Sequence, residues 1–240
     1  MVRDGHIWSD LLAALRMAEL EYAEKRFINY PYTNVLKSIK VSVDALAMSD
    51  PDGAQRFAEL AAFVWDAGVS DAAIATLWRS QGGLEDHHIR KLLVTLEGKS
   101  LLRLEGAAPR RRVTLHDLQI DYLGATLDNP KELNESLLQA YREICRGDWT
   151  LGPNDGYFFQ YLAHHLVQAG LENELYALLT ASPDWMEAKF RALLSDPSFV
   201  NDLELSTRNT SDSLALARKI VTSRNGEPFC AHFLHEGLGS

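Results

Sequence analysis

Apolar residues recur at helical spacing along most of the chain. Trp8, Leu11, Leu12, Leu15 and Leu20 form a first stripe over residues 8–22, broken by Asn29, Tyr30, Pro31 and Tyr32. Thr33 is placed to cap a second helix carrying Leu36, Ile39, Val43 and Leu46. Ser49-Asp50-Pro51 is a stop followed by a start: Asp50 can cap, and Pro51 suits a first helical position where its missing N–H costs nothing. The helix that follows carries Phe57, Leu60, Ala61 and Val64, and Gly68 ends it. Ser70 caps a short helix with Ile74, Leu77 and Trp78. Gly82 and Gly83 supply a tight turn. The spacing of Ile89, Leu92, Leu93 and Leu96 then predicts a helix from about Glu85 to Leu96.

The period changes between Ser100 and Asp121. Leu101, Leu102 and Leu104 are followed by Glu105-Gly106, a loop of Ala107, Ala108 and Pro109, and three arginines, Arg110 to Arg112. Val113 and Leu115 resume the apolar positions, and His116-Asp117 lead into a helical pattern over 118–127. Apolar alternation on both sides of a Gly/Pro turn predicts a β-hairpin. Two short helices joined by a glycine turn and followed by a hairpin predict a winged-helix unit. No other segment carries a strong strand signal.

From Asp128-Asn129-Pro130 onward the pattern is helical. Asn129 caps and Pro130 starts a helix with Leu133, Leu137, Leu138, Tyr141 and Ile144. Trp149 to Gly156 reads as a loop. Tyr157, Phe158, Tyr161, Leu162, His165 and Leu166 form the next stripe, ended by Gly170, and a short helix covers Leu171 to Leu179. Ser182-Pro183 opens a helix with Trp185, Met186, Phe190 and Leu194. Phe199 to Leu205 is ambiguous. Helices are expected from Ser211 or Ser213 through Ile220 and over Phe229–Leu238. The expected fold is mainly α: an N-terminal helix in 1–32, a winged-helix domain over 33–127 and an all-helical, helical-repeat-like domain over 128–240.

Composition narrows the function classes. The chain has 240 residues, 46% hydrophobic and 24% charged, which suits one large domain or two small ones. It has no run of eighteen apolar residues and no basic-then-apolar leader, so neither a membrane span nor a signal peptide is expected. Cys145 and Cys230 lack metal-ligand spacing and read as reduced structural thiols. A net charge of −9 repels nucleic acid over most of the surface. In a DNA-binding winged helix the Glu85–Leu96 helix would enter the groove, but its face mixes His87, His88, Arg90 and Lys91 with Glu85 and Asp86.

No phosphate loop, metalloprotease, calcium-loop or zinc-finger spacing occurs, and no catalysis is expected. The pairs His87-His88 and His164-His165 are adjacent. Adjacent helical residues point about 100° apart, so no metal site is expected of either pair. His165, on an apolar face, reads as a hydrogen-bonded core histidine. Glu143, Asp148 and Asp155 have no glycosidase-like spacing. Arg110, Arg111 and Arg112 read as a solvated hairpin tip, with an anion or partner contact as the alternative. His116-Asp117 reads as a structural junction in which Asp117 caps the following helix and His116 is held in a fixed direction.

The run Arg111–Leu123, RRVTLHDLQIDYL, resembles the end of the winged-helix subdomain of apoptosome-type NB-ARC proteins, within the signal-transducing ATPases with numerous domains. Trp8-Ser9-Asp10-Leu11-Leu12 resembles the last helix of the preceding subdomain, and Ser42-Val43-Asp44-Ala45-Leu46 the start of the winged helix. Ala72 to Trp78 and Lys99-Ser100-Leu101-Leu102 also fit. Asp155–Gly170, DGYFFQYLAHHLVQAG, and Trp185–Phe190 resemble the helical domain that precedes a β-propeller in such proteins.

The resemblance implies that Leu115-His116-Asp117 is an MHD-type motif: His116 contacts the phosphates of ADP and Asp117 orients it. It also implies ADP/ATP with Mg in a full-length parent, and none bound by this chain alone, which lacks Walker segments. The expected partners are the parent's nucleotide-binding subdomain and a C-terminal sensor, with homo-oligomerisation on activation, in the cytoplasm. The chain is then an interior fragment or a naturally reduced relative, supplying the latch and helical arm of a nucleotide-dependent signalling switch. The alternative is a DNA-binding winged helix or a standalone helical interaction module.

Overall fold

The computed structural model describes residues 33–108, 111–181, 183–194, 201–203 and 205–206. The stripe over 8–22, Arg110, Cys230 and the helices expected beyond Ser211 lie outside the described residues. The fold is mainly α with one small antiparallel sheet, as the hydrophobic pattern predicts. It divides into two compact units, with the division between Leu133 and Asn134.

Among the described residues of the first unit, α1 (Thr33–Ser49) is followed by α2 (Pro51–Glu59), which continues as a 3-10 turn over Leu60–Ala62. Asp50 is the predicted cap of α2: its Oδ1 accepts from the Gly53 N–H at 2.9 Å, with Pro51 at the first helical position. Strand β1 (Val69–Ser70) leads into α3 (Asp71–Gly82), where Ser70 Oγ accepts from the Ala73 N–H at 3.2 Å. Gly83 closes α3 in the left-handed conformation, φ +60°, and its N–H returns to the Arg79 carbonyl. Next come α4 (Asp86–Gly98), β2 (Arg103–Glu105), β3 (Arg112–Thr114) and α5 (Asp117–Thr126).

The hairpin expectation holds: β2 pairs antiparallel with β3, Leu104 opposite Val113. A third strand was not expected. β1 pairs with the other edge of β3, Val69 opposite Val113, giving the order β1-β3-β2. Two residues are too short to show alternation, so this strand exists through its partner rather than its own pattern. Gly68 positions it, with φ +75° and the Val113 carbonyl oxygen 3.0 Å from where a Cβ would stand. Two helices precede β1 and two more precede the hairpin, with β3 central in the sheet.

The core of this unit collects Leu36 and Leu46 of α1, Phe57, Ile74, Leu77, Trp78, Leu93, Leu96 and Val113, all fully buried. All four apolar residues predicted for α4 are buried. Burial of large aliphatic and aromatic side chains is worth roughly 1.5–3 kcal/mol each, so this cluster carries most of the unit's stability. Trp78 also donates its Nε1–H to the Arg56 carbonyl at 3.1 Å, tying α3 to α2.

In the second unit, α6 (Pro130–Ile144) leads through a 3-10 turn (Trp149–Leu151) to α7 (Phe158–Gln168), α8 (Glu172–Ala181) and α9 (Pro183–Leu193). α9 packs on α7, on α8 and on the 3-10 turn. Its centre is aromatic: Phe158 lies 4.9 Å from both Tyr141 and Phe159, and Phe159 stacks on Trp185 at 5.4 Å. Leu194 corrects the stripe predicted for α9. It follows the helix at φ +50° and is 79% exposed, because the helix ends before Leu194 can return to the buried face.

Candidate functional site

The junction between β3 and α5 carries the residues singled out in the sequence. The helix cap is His116, which corrects the expectation that Asp117 fills that role. His116 has extended backbone angles, φ −72° and ψ 148°, and its Nδ1 accepts from the Leu118 N–H at 3.2 Å. Gln119 Oε1 in turn accepts from the His116 N–H at 2.8 Å, completing a reciprocal box. Asp117 is instead the first residue of α5, exposed, where a carboxylate favours the helix N-terminus. The reason is register: the helix starts one residue earlier than the apolar pattern suggests, so the extended cap position falls on the histidine.

Gln119 does more than close the box. Its Nε2 donates to the Ser100 carbonyl at 2.7 Å. Ser100 stands in the left-handed region, φ +57°, just past α4. One side chain thus ties the start of α5, the His116 backbone and the end of α4 together. Gln119 is a functional position without an apolar or charged signature of its own. The available signal was the spacing His116-x-x-Gln119, a capping box with histidine in place of serine.

The cap fixes the histidine tautomer. A nitrogen that accepts an N–H carries no proton, so the neutral ring holds its proton on Nε2. His116 is exposed, and its Nε2–H is therefore a donor held in a set direction.

Two of the three arginines, Arg111 and Arg112, have partners within the first unit. Arg112 lies in β3 and donates from Nη1 to the Ala67 carbonyl at 2.8 Å. Arg111 is half-buried, 3.7 Å from the Asp71 carboxylate, and its carbonyl accepts from the Asp71 N–H. Arg111 braces the hairpin against the entry to α3, and Arg112 braces it against the segment before β1.

On α4, Asp86 is engaged by Arg79 at 2.6 Å, which holds its carboxyl below the usual range. His87, His88, Arg90 and Lys91 are exposed beside Glu85, so the mixed face expected from the sequence is present.

In the second unit His165 is the predicted core histidine. Its Nε2 is 2.8 Å from the Tyr157 hydroxyl and its Nδ1 is 2.7 Å from Asn134 Oδ1. Burial, and then the neighbouring His164, push its pKa down to about 3. Burial alone lowers His164. Asp155 is a structural acceptor for the Tyr157 and Phe158 N–H groups and for the Tyr141 hydroxyl, the last at 2.8 Å. Asp148 caps the 3-10 turn through the Thr150 N–H, and Glu143 accepts from Gln139. These three carboxylates do not converge on one point of chemistry. Cys145 is buried, and burial first, then Asp148 and Asp155, raises its thiol pKa to about 11, which makes it a poor nucleophile. Among the described residues no helix is long and apolar enough to cross a membrane.

Residues 131–216 match the family described as the APAF-1 helical domain. The apoptotic protease-activating factor 1 of Danio rerio is 26% identical over 198 residues, covering 81% of this chain. Over most of its length the chain is thus similar in sequence to apoptotic protease-activating factor 1. The Homo sapiens and Rattus norvegicus factors are 25% and 27% identical, each over 76% of the chain. The chain spans only 15% of the length of the Danio rerio protein and 14% of the other two. The matched stretches cover most of the chain, and the named helical domain coincides with α6 to α9 and the residues after them.

Proposed function

We propose that the chain is the regulatory segment of a nucleotide-dependent signalling switch: a winged helix over 33–127 that latches onto bound ADP, followed by a helical arm. The observation that carries this reading is the committed tautomer of His116. With Nδ1 used in the helix cap, Nε2–H is free to donate to a phosphate oxygen. The tether through Gln119 to Ser100 keeps that donor in place without the ligand. Likeness to apoptotic protease-activating factor 1 supports the setting. In this reading the nucleotide, with Mg, is held mainly by a nucleotide-binding segment of a longer protein, and the chain alone turns over no ATP. Arg111 and Arg112 act as braces of the wing rather than as ligands. The helical arm leads to a sensor such as a β-propeller, the protein is cytoplasmic, and opening permits self-association.

Two substitutions separate the latch from the cap. Asparagine is a strong cap but lacks the reach of an imidazole Nε2, whereas alanine removes both functions. In the longer protein, His116→Asn and His116→Ala should both weaken ADP retention. A charge-assisted hydrogen bond is worth about 1.5–3 kcal/mol, so the loss should be about ten- to a hundredfold. Only His116→Ala should also lower the thermal stability of the 240-residue chain. Unchanged ADP retention in both variants would refute the latch and leave His116 as a junction residue.

A further inference from the structure

α4 opens differently from its neighbours. The cap side chains of α2, α3 and α5 each accept a backbone N–H from their own helix. Glu85, at the cap position of α4, makes no such bond. Its backbone is extended, φ −80° and ψ 157°, and its Oε2 lies 3.3 Å from His87 Nδ1. The His87 ring in turn lies 3.8 Å from the His88 ring. One ligand atom from each of Glu85, His87 and His88 falls within 4.8 Å of the others, and all three side chains are exposed. The adjacent histidines alone were not expected to share an ion. The carboxylate from the non-helical cap residue supplies the third donor that the spacing could not reveal.

We propose that Glu85, His87 and His88 form a binding site for a divalent transition-metal ion of the zinc class, with water completing the coordination. Zinc bonds to imidazole nitrogen and carboxylate oxygen at about 2.0–2.2 Å, so two ligands on a tetrahedral ion stand about 3.4 Å apart. The Glu85–His87 separation already meets that spacing. The His88 ring, tilted against that of His87, must swing inward by at most about 1.4 Å, which an exposed side chain does readily.

The surroundings set the selectivity. Asp86 is occupied by Arg79, so it adds no second carboxylate to the trio, and Arg90 lines the same open cleft as Glu85 and His87. A hard cation that needs several oxygens finds one carboxylate and a nearby guanidinium. An ion that gains its affinity from imidazole nitrogen is favoured instead, which selects zinc, nickel or copper over magnesium and calcium.

The test uses the metal-free 240-residue chain carrying no added histidine tag. Calorimetric titration with Zn2+ should give one site, with Mg2+ giving none. Glu85→Gln, His87→Ala and His88→Ala should each weaken Zn2+ binding by at least about tenfold. His164→Ala, in the other unit, should leave it unchanged. In the unsubstituted chain Co2+ should broaden or shift the ring proton signals of His87 and His88 ahead of other histidines, a readout that does not depend on any variant folding. Zn2+ affinity indifferent to all three substitutions, absence of a site, or Co2+ effects centred on other histidines would each overturn the proposal.

Discussion

Replacing His165 with leucine should change the pH dependence of stability as well as its size. Asn134 Oδ1 can only accept, so His165 Nδ1 carries the proton and Nε2 accepts from the Tyr157 hydroxyl. The folded ring is neutral, with its pKa pushed down to about 3, against about 6.5 in the unfolded chain. Between those values the unfolded state binds a proton that the folded state refuses. Stability from this group is therefore complete above about pH 6.5 and falls by roughly 1.4 kcal/mol per unit on acidification. From pH 7.5 to pH 5 the loss reaches about 2 kcal/mol. His165→Leu removes that dependence together with two hydrogen bonds, each worth about 1 kcal/mol net. The variant should be about 2 kcal/mol less stable than the parent at pH 7.5, and the gap should close near pH 5. Asp202 and Glu59 act in the opposite sense: burial raises them to about 6 and about 7, so they favour the folded state as pH falls through those values. They are common to both proteins and cancel in the difference. Urea unfolding of both proteins at several pH values measures the gap, and the ring proton shift of His165 by NMR reads its titration directly. A gap that does not vary with pH, or a ring that titrates near 6.5, would refute the reasoning.

Two further outcomes follow from the second unit. Lys189 donates to the Asp202 carboxylate at 2.6 Å with both side chains almost wholly buried, so Lys189→Met should destabilise by about 3–5 kcal/mol in thermal unfolding at neutral pH, and adding Asp202→Leu should restore most of it. Asp155→Ala removes the acceptor for two backbone N–H groups at the start of α7 and for the Tyr141 hydroxyl, and should cost about 2–3 kcal/mol, with amide exchange at Tyr157 and Phe158 accelerated first.

Most of the helical frame was legible because its signals are local. Asp50-Pro51, Ser70 and the Gly82-Gly83 turn each place a boundary by their own chemistry, and the stripe of α4 is buried as its spacing requires. What escaped notice depends on contact. β1 is two residues long and is defined by Val113, forty-four positions away in sequence. Arg112 has the composition of a loop tip, but its strand position aims it at the Ala67 carbonyl. At the candidate site the histidine was found and its local role was assigned to the wrong residue. The cap depends on backbone angles at His116, and the Ser100 tether joins segments nineteen residues apart. The Arg142–Glu174 pair at 2.8 Å, with Trp149 Nε1 donating to the same carboxylate, joins α6, the 3-10 turn and α8 and has no local signature at all.

The histidines separate by environment rather than by motif. His165 sits between two polar partners in an apolar core, and burial keeps its ring neutral with both nitrogens engaged, which leaves it no general acid–base role near neutral pH. His116 has one nitrogen committed to a helix terminus and the other exposed, which makes it a fixed donor. His87 and His88 have both rings exposed beside a carboxylate that has not been used for capping. Only the last arrangement leaves imidazole lone pairs available to an incoming ion, and only the second presents a single N–H in a direction set by the backbone. The same two adjacent letters, HH, therefore read as core in α7 and as a ligand pair at the start of α4. The difference lies in what precedes them: Tyr157 and a closed aromatic cluster in one case, an extended glutamate at an open cleft in the other. Glu85 has the same extended backbone as the capping residues Ser70 and His116, but its side chain faces His87 and makes no capping bond. The direction of the Glu85 side chain thus decides whether α4 begins with an ordinary capped turn or with a three-donor site.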